Sequence, residues 1–302
     1  MSIVTVGTFD GVHRGHLAVV HEIARRARVT GRESILVTFE PHPLEIINPA
    51  AAPPLLSTPE EKRAILAATA LGRVEFLPFT AELRNMDPEA FVRDVLERRF
   101  GMEELVIGHD HGFGRGRSGD VELLRRVGAV DRFAVDVVPA VLLEDGRSIS
   151  STLIRRAVAG GDLDTAARAL GRPYSVFGRV VRGAGRGRTI GVPTVNLEPP
   201  GGRKLLPPDG VYAAVVRDEG LAHGAMVNVG PRPTFGEAAR TVEAHLFGFT
   251  GDLYDRTLAV EFVARLRDVR RFESAEALTS QLGEDREAAL SSLRKKASSV
   301  TL

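Results

Sequence analysis

Apolar and polar positions follow two different periods along the first half of this chain. Short apolar runs predict strands at residues 2–6, 34–39, 73–77, 105–108 and 133–137. Between these runs apolar residues recur every three or four positions, which predicts helices at residues 14–28 and 87–100 and from about residues 58 and 120. Strand–helix–strand alternation favours a mostly parallel sheet covered by helices on both faces.

The pattern changes after about residue 172, where Gly171, Arg172 and Pro173 indicate a linker. Beyond them, short β-rich runs separated by glycine and proline predict a compact antiparallel barrel. The predicted strands are residues 175–181, 211–216, 225–229, 241–247 and 258–262. We therefore expect two domains, residues 1–172 and residues 173–302.

The last part of the chain, residues 274–296, has a helical pattern. Its predicted buried stripe consists of Ala277, Leu278, Leu282, Ala289 and Leu293. The expected fold class is therefore α/β followed by β, with a parallel sheet first and then an antiparallel barrel that carries a C-terminal helix.

Composition narrows the function classes without naming one. The 302 residues are 43% hydrophobic and 26% charged, and the net charge of +1 predicts no bulk attraction to nucleic acid or to a membrane. The absence of cysteine excludes disulfides, thiolate catalysis and cysteine-bound metals. No signal-peptide pattern is present, and the longest apolar stretches are too short to span a bilayer, so we expect a cytoplasmic protein.

The first candidate site is the run Gly-Thr-Phe-Asp-Gly-Val-His-Arg-Gly-His at residues 7–16, between a predicted strand and a predicted helix. Backbone N–H groups at a helix N-terminus suit phosphate, and Gly11 and Gly15 permit close approach of a ligand. His13 and His16 are three residues apart, so they share a helix face from which they can donate hydrogen bonds to a phosphoryl group. Two surface histidines are the alternative interpretation, but the position after a strand favours nucleotide handling.

Three further segments carry a family resemblance together with this run: residues 38–43, residues 108–120, and Ile-Ser-Ser-Thr-Leu-Ile-Arg at 149–155. They resemble the nucleotidyltransferase module of bacterial bifunctional riboflavin kinase/FAD synthetases. By itself, residues 150–152 could be a simple helix cap, and Asp110 a turn residue.

The resemblance implies a Rossmann-like domain that joins FMN to the AMP part of ATP. It assigns catalysis to His13, His16 and Arg155, of which Arg155 suits a phosphate partner. It assigns ATP or phosphate binding to Gly7, Thr8, Phe9, Asp10, Gly11, Gly15, Ser151 and Thr152, and flavin binding to Asp110, Phe113 and Arg117.

The second half has its own motifs. A Gly-rich loop at residues 183–188 can wrap phosphates with backbone N–H groups, although such turns are common. Pro-Thr-Val-Asn at 193–196 places Thr194 and Asn196 on the same side of a strand, and hard oxygen ligands suit Mg²⁺. Glu243 lies in a run whose alternation separates it from Val242 and Ala244, so it is either a solvent-facing residue or a base.

These motifs resemble the riboflavin kinase module of the same family, and the resemblance spans most of the chain. It implies a six-stranded barrel in which Glu243 is the base for the riboflavin 5′-hydroxyl and Thr194 and Asn196 hold Mg²⁺. It assigns ATP binding to Gly185, Arg186, Gly187 and Arg188, and flavin binding to Asn228, Arg267 and Phe272.

The sequence therefore predicts an enzyme that phosphorylates riboflavin with ATP and then adenylylates FMN to FAD, releasing pyrophosphate. Its expected small-molecule partners are riboflavin, FMN, ATP and Mg²⁺, in a monomer or weak homo-oligomer. Two alternatives remain open at this point. One is a nucleotidyltransferase with another phosphorylated acceptor, and the other is a flavin- or nucleotide-binding regulator without catalysis.

Overall fold

The computed structural model describes residues 1–109, 120–183, 192–198, 203–231 and 240–299. Internal contacts divide the chain into two compact units, Met1–Ser151 and Thr152–Leu302. The predicted domain boundary between residues 172 and 173 is a separate statement, about which segments fold independently. It stays a prediction. None of the helices in these ranges is long and apolar enough to cross a bilayer.

The first unit is built on a five-stranded sheet in the order β3-β2-β1-β4-β5, in which every neighbouring pair is parallel. Central strands are buried on both faces, as in Ile35, Leu36 and Val37 of β2, which explains their unbroken apolar runs. The predicted parallel sheet is confirmed. The strands are β1 Ser2–Val6, β2 Glu33–Glu40, β3 Arg73–Pro78, β4 Met102–Gly108 and β5 Ala134–Val138.

Helices connect these strands. The predicted start at Thr58 is confirmed, because its hydroxyl accepts from the Glu61 N–H while the Glu61 carboxylate accepts from the Thr58 N–H. A π-helical segment, Phe91–Glu97, joins α5 to α6. The helices are α1 Arg14–Thr30, α2 Pro43–Ile47, α3 Pro59–Ala67, α4 Ala81–Asn85, α5 Pro88–Ala90, α6 Arg98–Phe100, α7 Val121–Asp131, α8 Ser151–Ala159 and α9 Leu163–Leu170.

The second unit is a closed six-stranded barrel in the order β10-β7-β6-β11-β8-β9, and each neighbouring pair is antiparallel. Its interior is filled by side chains such as Tyr212 and Phe262, whose rings meet edge to face at 5.3 Å. Helix α9 contacts β6 and β11. The strands are β6 Tyr174–Val181, β7 Val195–Glu198, β8 Gly210–Asp218, β9 Leu221–Pro231, β10 Arg240–Leu246 and β11 Thr257–Arg267.

A long helix, α10 (Ala275–Ser299), covers part of the outer barrel face and contacts β8, β9 and β11. The predicted stripe is right for Ala289, which is fully buried, but wrong for Ala277, which is exposed. Asp285 is buried at 3% exposure on that side of the helix instead. A sequence pattern assigns an acidic residue to the solvent face, and only its partner, described below, explains this burial.

Candidate active sites

The first candidate site lies where β1 ends and α1 begins. In the strand order of this sheet, β2 and β3 lie on one side of β1, whereas β4 and β5 lie on the other. Ligands of open parallel sheets bind outside the carboxyl ends of the strands at such a change of direction. Residues 7–13 form the loop at this edge, because they follow Val6, the last residue of β1.

His13 and His16 cap the first turn of α1 reciprocally. Nδ1 of His13 accepts from the His16 backbone N–H at 3.3 Å, and Nδ1 of His16 accepts from the His13 N–H at 3.4 Å. The two rings stack with their centroids 3.6 Å apart, which confirms that they share a face. Because both Nδ1 atoms accept hydrogen bonds, each neutral ring carries its hydrogen on Nε2. The cap thereby gives the site two Nε2–H donors side by side.

The loop before the histidines has an unusual backbone. Phe9 has φ 47° and Val12 has φ 39°, although side chains with a Cβ rarely adopt left-handed conformations. Burial of both side chains holds them there, with Phe9 4% exposed and Val12 fully buried. Gly11 has φ 81°, and a Cβ at this position would lie 2.9 Å from Leu56 Cδ1. Packing therefore determines this loop conformation.

Asp10 stabilises the loop of residues 7–13 through hydrogen bonds to the segment before α3. Its carboxylate is 1% exposed and accepts from the backbone N–H groups of Leu56 and Ser57, each at 3.0 Å. The Ser57 hydroxyl in turn accepts from the Gly11 N–H at 2.9 Å. These contacts join the loop to the segment before α3. They use the Asp10 carboxylate and the Gly11 N–H within the protein, so phosphate binding by these two groups stays a prediction.

Ser151 connects the Ile-Ser-Ser-Thr motif to the same loop. Its hydroxyl donates to the Asp10 carbonyl at 3.0 Å, across 141 residues of sequence. Thr152 is exposed and Arg155 is half-buried, and both lie in the first part of α8, three residues apart on one side of the helix. The sequence predicted Ser151 for this site, and the structure places its hydroxyl on the loop itself.

Lys62 is a residue of this site that sequence reasoning missed. From α3 its Nζ donates to the Thr8 carbonyl at 2.7 Å and lies 3.4 Å from the Thr38 hydroxyl. The side chain is buried, and this burial lowers the pKa of Lys62 to about 8. The sequence contained one indication of this role. The chain has only four lysines, and Lys62 lies one turn before Leu66 on the apolar face of a helix with a capping box.

The second candidate site is a row of polar side chains across three barrel strands. Glu243 on β10 is directly opposite Asn196 on β7 and directly opposite Asn228 on β9. Directly opposed residues point to the same face, and this face is the outer one, because Val242 and Ala244 fill the interior. The predicted alternation along β10 is confirmed. Glu243, Asn196 and Asn228 are each half-buried.

Two contacts position the Pro-Thr-Val-Asn segment beside this row. A Cβ on Gly183 would lie 2.0 Å from the Asn196 side-chain nitrogen, so the Gly183 backbone is packed directly against that amide. At the start of the segment, Nδ1 of His245 donates to the Pro193 carbonyl at 2.7 Å. Exposed Thr194 lies between these contacts, just before β7. His245 and Gly183 therefore support residues that the sequence assigned to Mg²⁺.

Arg267, a predicted flavin-binding residue, is paired within the protein. Its guanidinium donates two hydrogen bonds to Asp285 on α10, at 2.8 and 2.7 Å. It also lies 5.6 Å from the ring centroid of Phe272. This bidentate pair explains the burial of Asp285 on the helix stripe. Flavin binding by Arg267 and Phe272 stays a prediction.

Replacing Asp285 with asparagine is expected to lower the unfolding free energy of the second unit by about 3 kcal/mol, because it removes one partner of a buried ion pair. Urea denaturation followed by tyrosine fluorescence measures this selectively, since all three tyrosines lie in the second unit. Asp268→Asn is the matched control, because its side chain is 83% exposed while paired with Arg265. Equal small effects of both variants would contradict the expectation.

Seven predicted site residues lie outside the described residues, so the structure does not place them. They are Asp110, Phe113, Arg117, Gly185, Arg186, Gly187 and Arg188.

Two family models match successive parts of the chain: FAD synthetase matches residues 1–153 and riboflavin kinase matches residues 170–293. A bifunctional riboflavin kinase/FMN adenylyltransferase from Pseudomonas fluorescens is 40% identical over 288 residues, which cover 94% of this chain and 90% of that protein. The chain belongs to the bifunctional riboflavin kinase/FMN adenylyltransferase family. A relative of the same description from Escherichia coli K12 is 35% identical over 285 residues, with the same coverage.

A solved structure agrees with the fold of this bifunctional family member. It is described as a macrolide-efflux protein from Streptococcus pneumoniae, is 31% identical, and has a TM-score of 0.84 over 95% of this chain and 93% of its own. The likeness confirms the predicted order of a parallel α/β sheet, a six-stranded antiparallel barrel and a C-terminal helix.

As a member of this family, the chain is a bifunctional enzyme with riboflavin kinase and FMN adenylyltransferase activities. The FAD synthetase model covers the sheet and the riboflavin kinase model covers the barrel, which confirms the predicted assignment of one activity to each half. A nucleotidyltransferase with another acceptor does not account for the riboflavin kinase match. A regulator without catalysis does not account for relatives that are described by both enzyme activities.

Proposed function

We propose that the two activities use two separate ATP sites, with the polar row of the barrel as the kinase site and the β1–α1 loop as the adenylylation site. The observation that carries the kinase site is the placement of Glu243 directly between Asn196 and Asn228 on one barrel face. The observation that carries the adenylylation site is the reciprocal cap that presents two Nε2–H donors at the carboxyl edge of the sheet.

In the kinase step, the 5′-hydroxyl oxygen of riboflavin attacks the γ-phosphorus of ATP. A new P–O bond forms, the bond between the γ-phosphorus and the bridging oxygen breaks, and ADP leaves. Glu243 takes the hydroxyl proton, since its carboxylate is the acceptor in this row. Asn228 on the neighbouring strand orients the flavin. Gly185, Arg186, Gly187 and Arg188 bind the ATP phosphates.

The residues beside Glu243 fit a magnesium ion. Thr194 and Asn196 offer neutral oxygen ligands, and the Gly183 backbone holds the Asn196 amide in place. In the part of the chain that the structure describes, no group of three or more histidine or acidic side chains is arranged to hold a metal ion. Mg²⁺ suits such a site, because it usually combines few protein ligands with substrate phosphates. When bound, it neutralises charge on the transferred phosphoryl group.

In the adenylylation step, a phosphate oxygen of FMN attacks the α-phosphorus of ATP. The bond between the α-phosphorus and the bridging oxygen breaks, and pyrophosphate leaves. His13 and His16 donate hydrogen bonds from Nε2 to oxygen atoms that gain negative charge. Arg155 pairs with the leaving phosphates. Gly7, Thr8, Phe9, Gly15, Ser151 and Thr152 bind ATP, while Asp110, Phe113 and Arg117 bind FMN.

Product analysis tests the whole proposal. Purified protein is incubated with riboflavin, ATP and Mg²⁺, and the flavins are separated by chromatography. We expect FMN first and FAD later, and no FMN in a parallel reaction with a chelator in place of Mg²⁺. Absence of both products contradicts the proposal, and FMN without FAD leaves only the kinase site.

Replacing Gly183 with alanine is expected to lower riboflavin kinase activity by about tenfold or more and to raise its Mg²⁺ requirement. The added Cβ would displace the Asn196 amide that it meets at 2.0 Å, and small displacements at a reacting centre are costly. Gly283→Ala is the control, because a Cβ there meets nothing within 4 Å. FMN adenylylation of both variants should match the unmodified protein. An unchanged kinase activity of Gly183→Ala would count against a role of Asn196.

We also propose that the enzyme works in the cytoplasm as a monomer or weak homo-oligomer and binds neither nucleic acid nor membrane. The near-neutral net charge supports the absence of binding to nucleic acid and to membranes. Gel filtration at several protein concentrations measures the oligomeric state.

A further inference from the structure

Lys62 places a buried ammonium group at the edge of the sheet where the adenylylation site is proposed. Its side chain is 7% exposed, and its Nζ donates to the Thr8 carbonyl at 2.7 Å. Burying a charged group is costly, so a lysine in such a place needs a reason. Both of its described hydrogen-bond partners, the Thr8 carbonyl and the Thr38 hydroxyl, are neutral oxygens.

These two partners lie near the carboxyl ends of neighbouring strands. Thr8 follows β1, and fully buried Thr38 lies in β2, which pairs with β1 in parallel register. The Thr38 hydroxyl also donates to the Thr8 carbonyl, at 3.1 Å. Two donors therefore converge on the one carbonyl that immediately precedes the left-handed residue Phe9. The position of the loop depends on this carbonyl, because Phe9 cannot relax its backbone while its ring stays buried.

Burial leaves Lys62 partly unprotonated near neutral pH. Burial is the dominant cause that lowers its pKa to about 8, while the carboxylates of Asp10 and Glu40 act in the opposite direction and Arg63 adds to the lowering. Asp10 is bound to backbone N–H groups, and Glu40 is paired with Arg63. Asp10, Glu40 and Arg63 together carry one net negative charge, which the ammonium of Lys62 balances. Loss of the Lys62 charge would therefore leave net negative potential behind the loop.

We propose that Lys62 is a positioning residue of the adenylylation site, which holds the Thr8 carbonyl so that the loop of residues 7–13 can receive the phosphates of ATP. This inference rests on the proposed placement of ATP at that loop. A protonated Lys62 anchors the loop with a charge-assisted hydrogen bond and favours the anionic ligand in front of it. A neutral Lys62 provides a weaker bond and no charge.

The test compares pH profiles of kcat/KM for ATP in the conversion of FMN to FAD, from about pH 6.5 to about pH 9.5. For the unmodified protein we expect kcat/KM to fall above about pH 8 and to level off at the lower activity of the form with neutral Lys62. Lys62→Met should be about 10- to 100-fold less active near pH 7, mostly through KM for ATP, and should lack this alkaline fall. Lys62→Arg keeps its charge at every pH tested, so it should stay active and also lack the fall.

Three comparisons decide the outcome. Thermal unfolding of each Lys62 variant, followed by circular dichroism, should retain the transition of the first unit, which shows that the unit containing Lys62 has folded. Riboflavin kinase activity, which belongs to the second unit, should stay within about threefold of normal. Lys204→Met, which removes an equally buried lysine of the second unit, should keep the alkaline fall in adenylylation. The inference is overturned if Lys62→Arg, or a folded Lys62→Met, keeps the same alkaline fall. Failure of the unmodified protein to make any FAD would instead remove the proposed adenylylation activity itself.

Discussion

Glu243→Gln is expected to abolish riboflavin phosphorylation while FMN adenylylation continues. The amide has the shape of the carboxylate, so the pairing of β10 with β7 and β9 should persist. It cannot accept the 5′-hydroxyl proton, and loss of a general base typically costs about 10²- to 10⁴-fold in rate. Separate assays that start from riboflavin and from FMN measure the two activities.

A matched control exists on the opposite side of the barrel. Glu261 on β11 is also a half-buried strand glutamate, but its carboxylate pairs with Arg217. Glu261→Gln should leave both activities near normal, because a strand ion pair of this kind contributes little. If Glu243→Gln reduced both activities together, the proposal of two separate sites would be wrong.

His16→Asn is expected to lower FMN adenylylation by about 10²- to 10³-fold without affecting riboflavin phosphorylation. The asparagine side chain can place an oxygen where Nδ1 of His16 now accepts from the His13 N–H, so the cap of α1 can survive. It has no atom at the position of Nε2, which is the proposed donor to the reacting phosphate. The loss should therefore appear in kcat rather than in the stability of the first unit.

The same helix provides the control for this variant. His21 is exposed on α1, so His21→Asn should change neither activity. His16→Gln is a second test, because glutamine at this position can accept from the His13 N–H as Glu61 does from the Thr58 N–H. With its side chain used by the cap, it should keep the melting temperature and lose adenylylation about as His16→Asn does. If His16→Asn kept normal adenylylation, the Nε2 donors would not be the catalytic groups.

Local patterns predicted most of the architecture because each pattern has a direct physical cause. Unbroken apolar runs form strands that are buried on both faces of a parallel sheet, as in β2. The alternation of Val242, Glu243 and Ala244 forms a strand with one face inside a barrel. Thr58 and Glu61 form a capping box that depends only on residues three apart.

The stripe on α10 shows where such reasoning fails. Asp285 is buried because two hydrogen bonds from Arg267, 18 residues earlier, compensate its charge. Periodicity assigns a carboxylate to the outside, since the cost of burying it can be offset only by a partner that the pattern cannot locate. The sequence did not predict a role for Lys62 for the same reason: its hydrogen-bond partners lie on other elements, which a local pattern cannot locate.

Local sequence patterns were enough to predict a parallel α/β half and a barrel half, and to identify the residue types that handle phosphate. Helix and strand propensity, helix capping and the alternation of strand residues depend on residues that are close in sequence, so a short stretch of sequence is enough to predict them. The folded chain was needed to show which distant groups meet: Ser151 with the Asp10 carbonyl, Glu243 between Asn196 and Asn228, and Lys62 with the Thr8 carbonyl. These contacts depend on strand register and on packing across the whole fold, which no short stretch of sequence encodes.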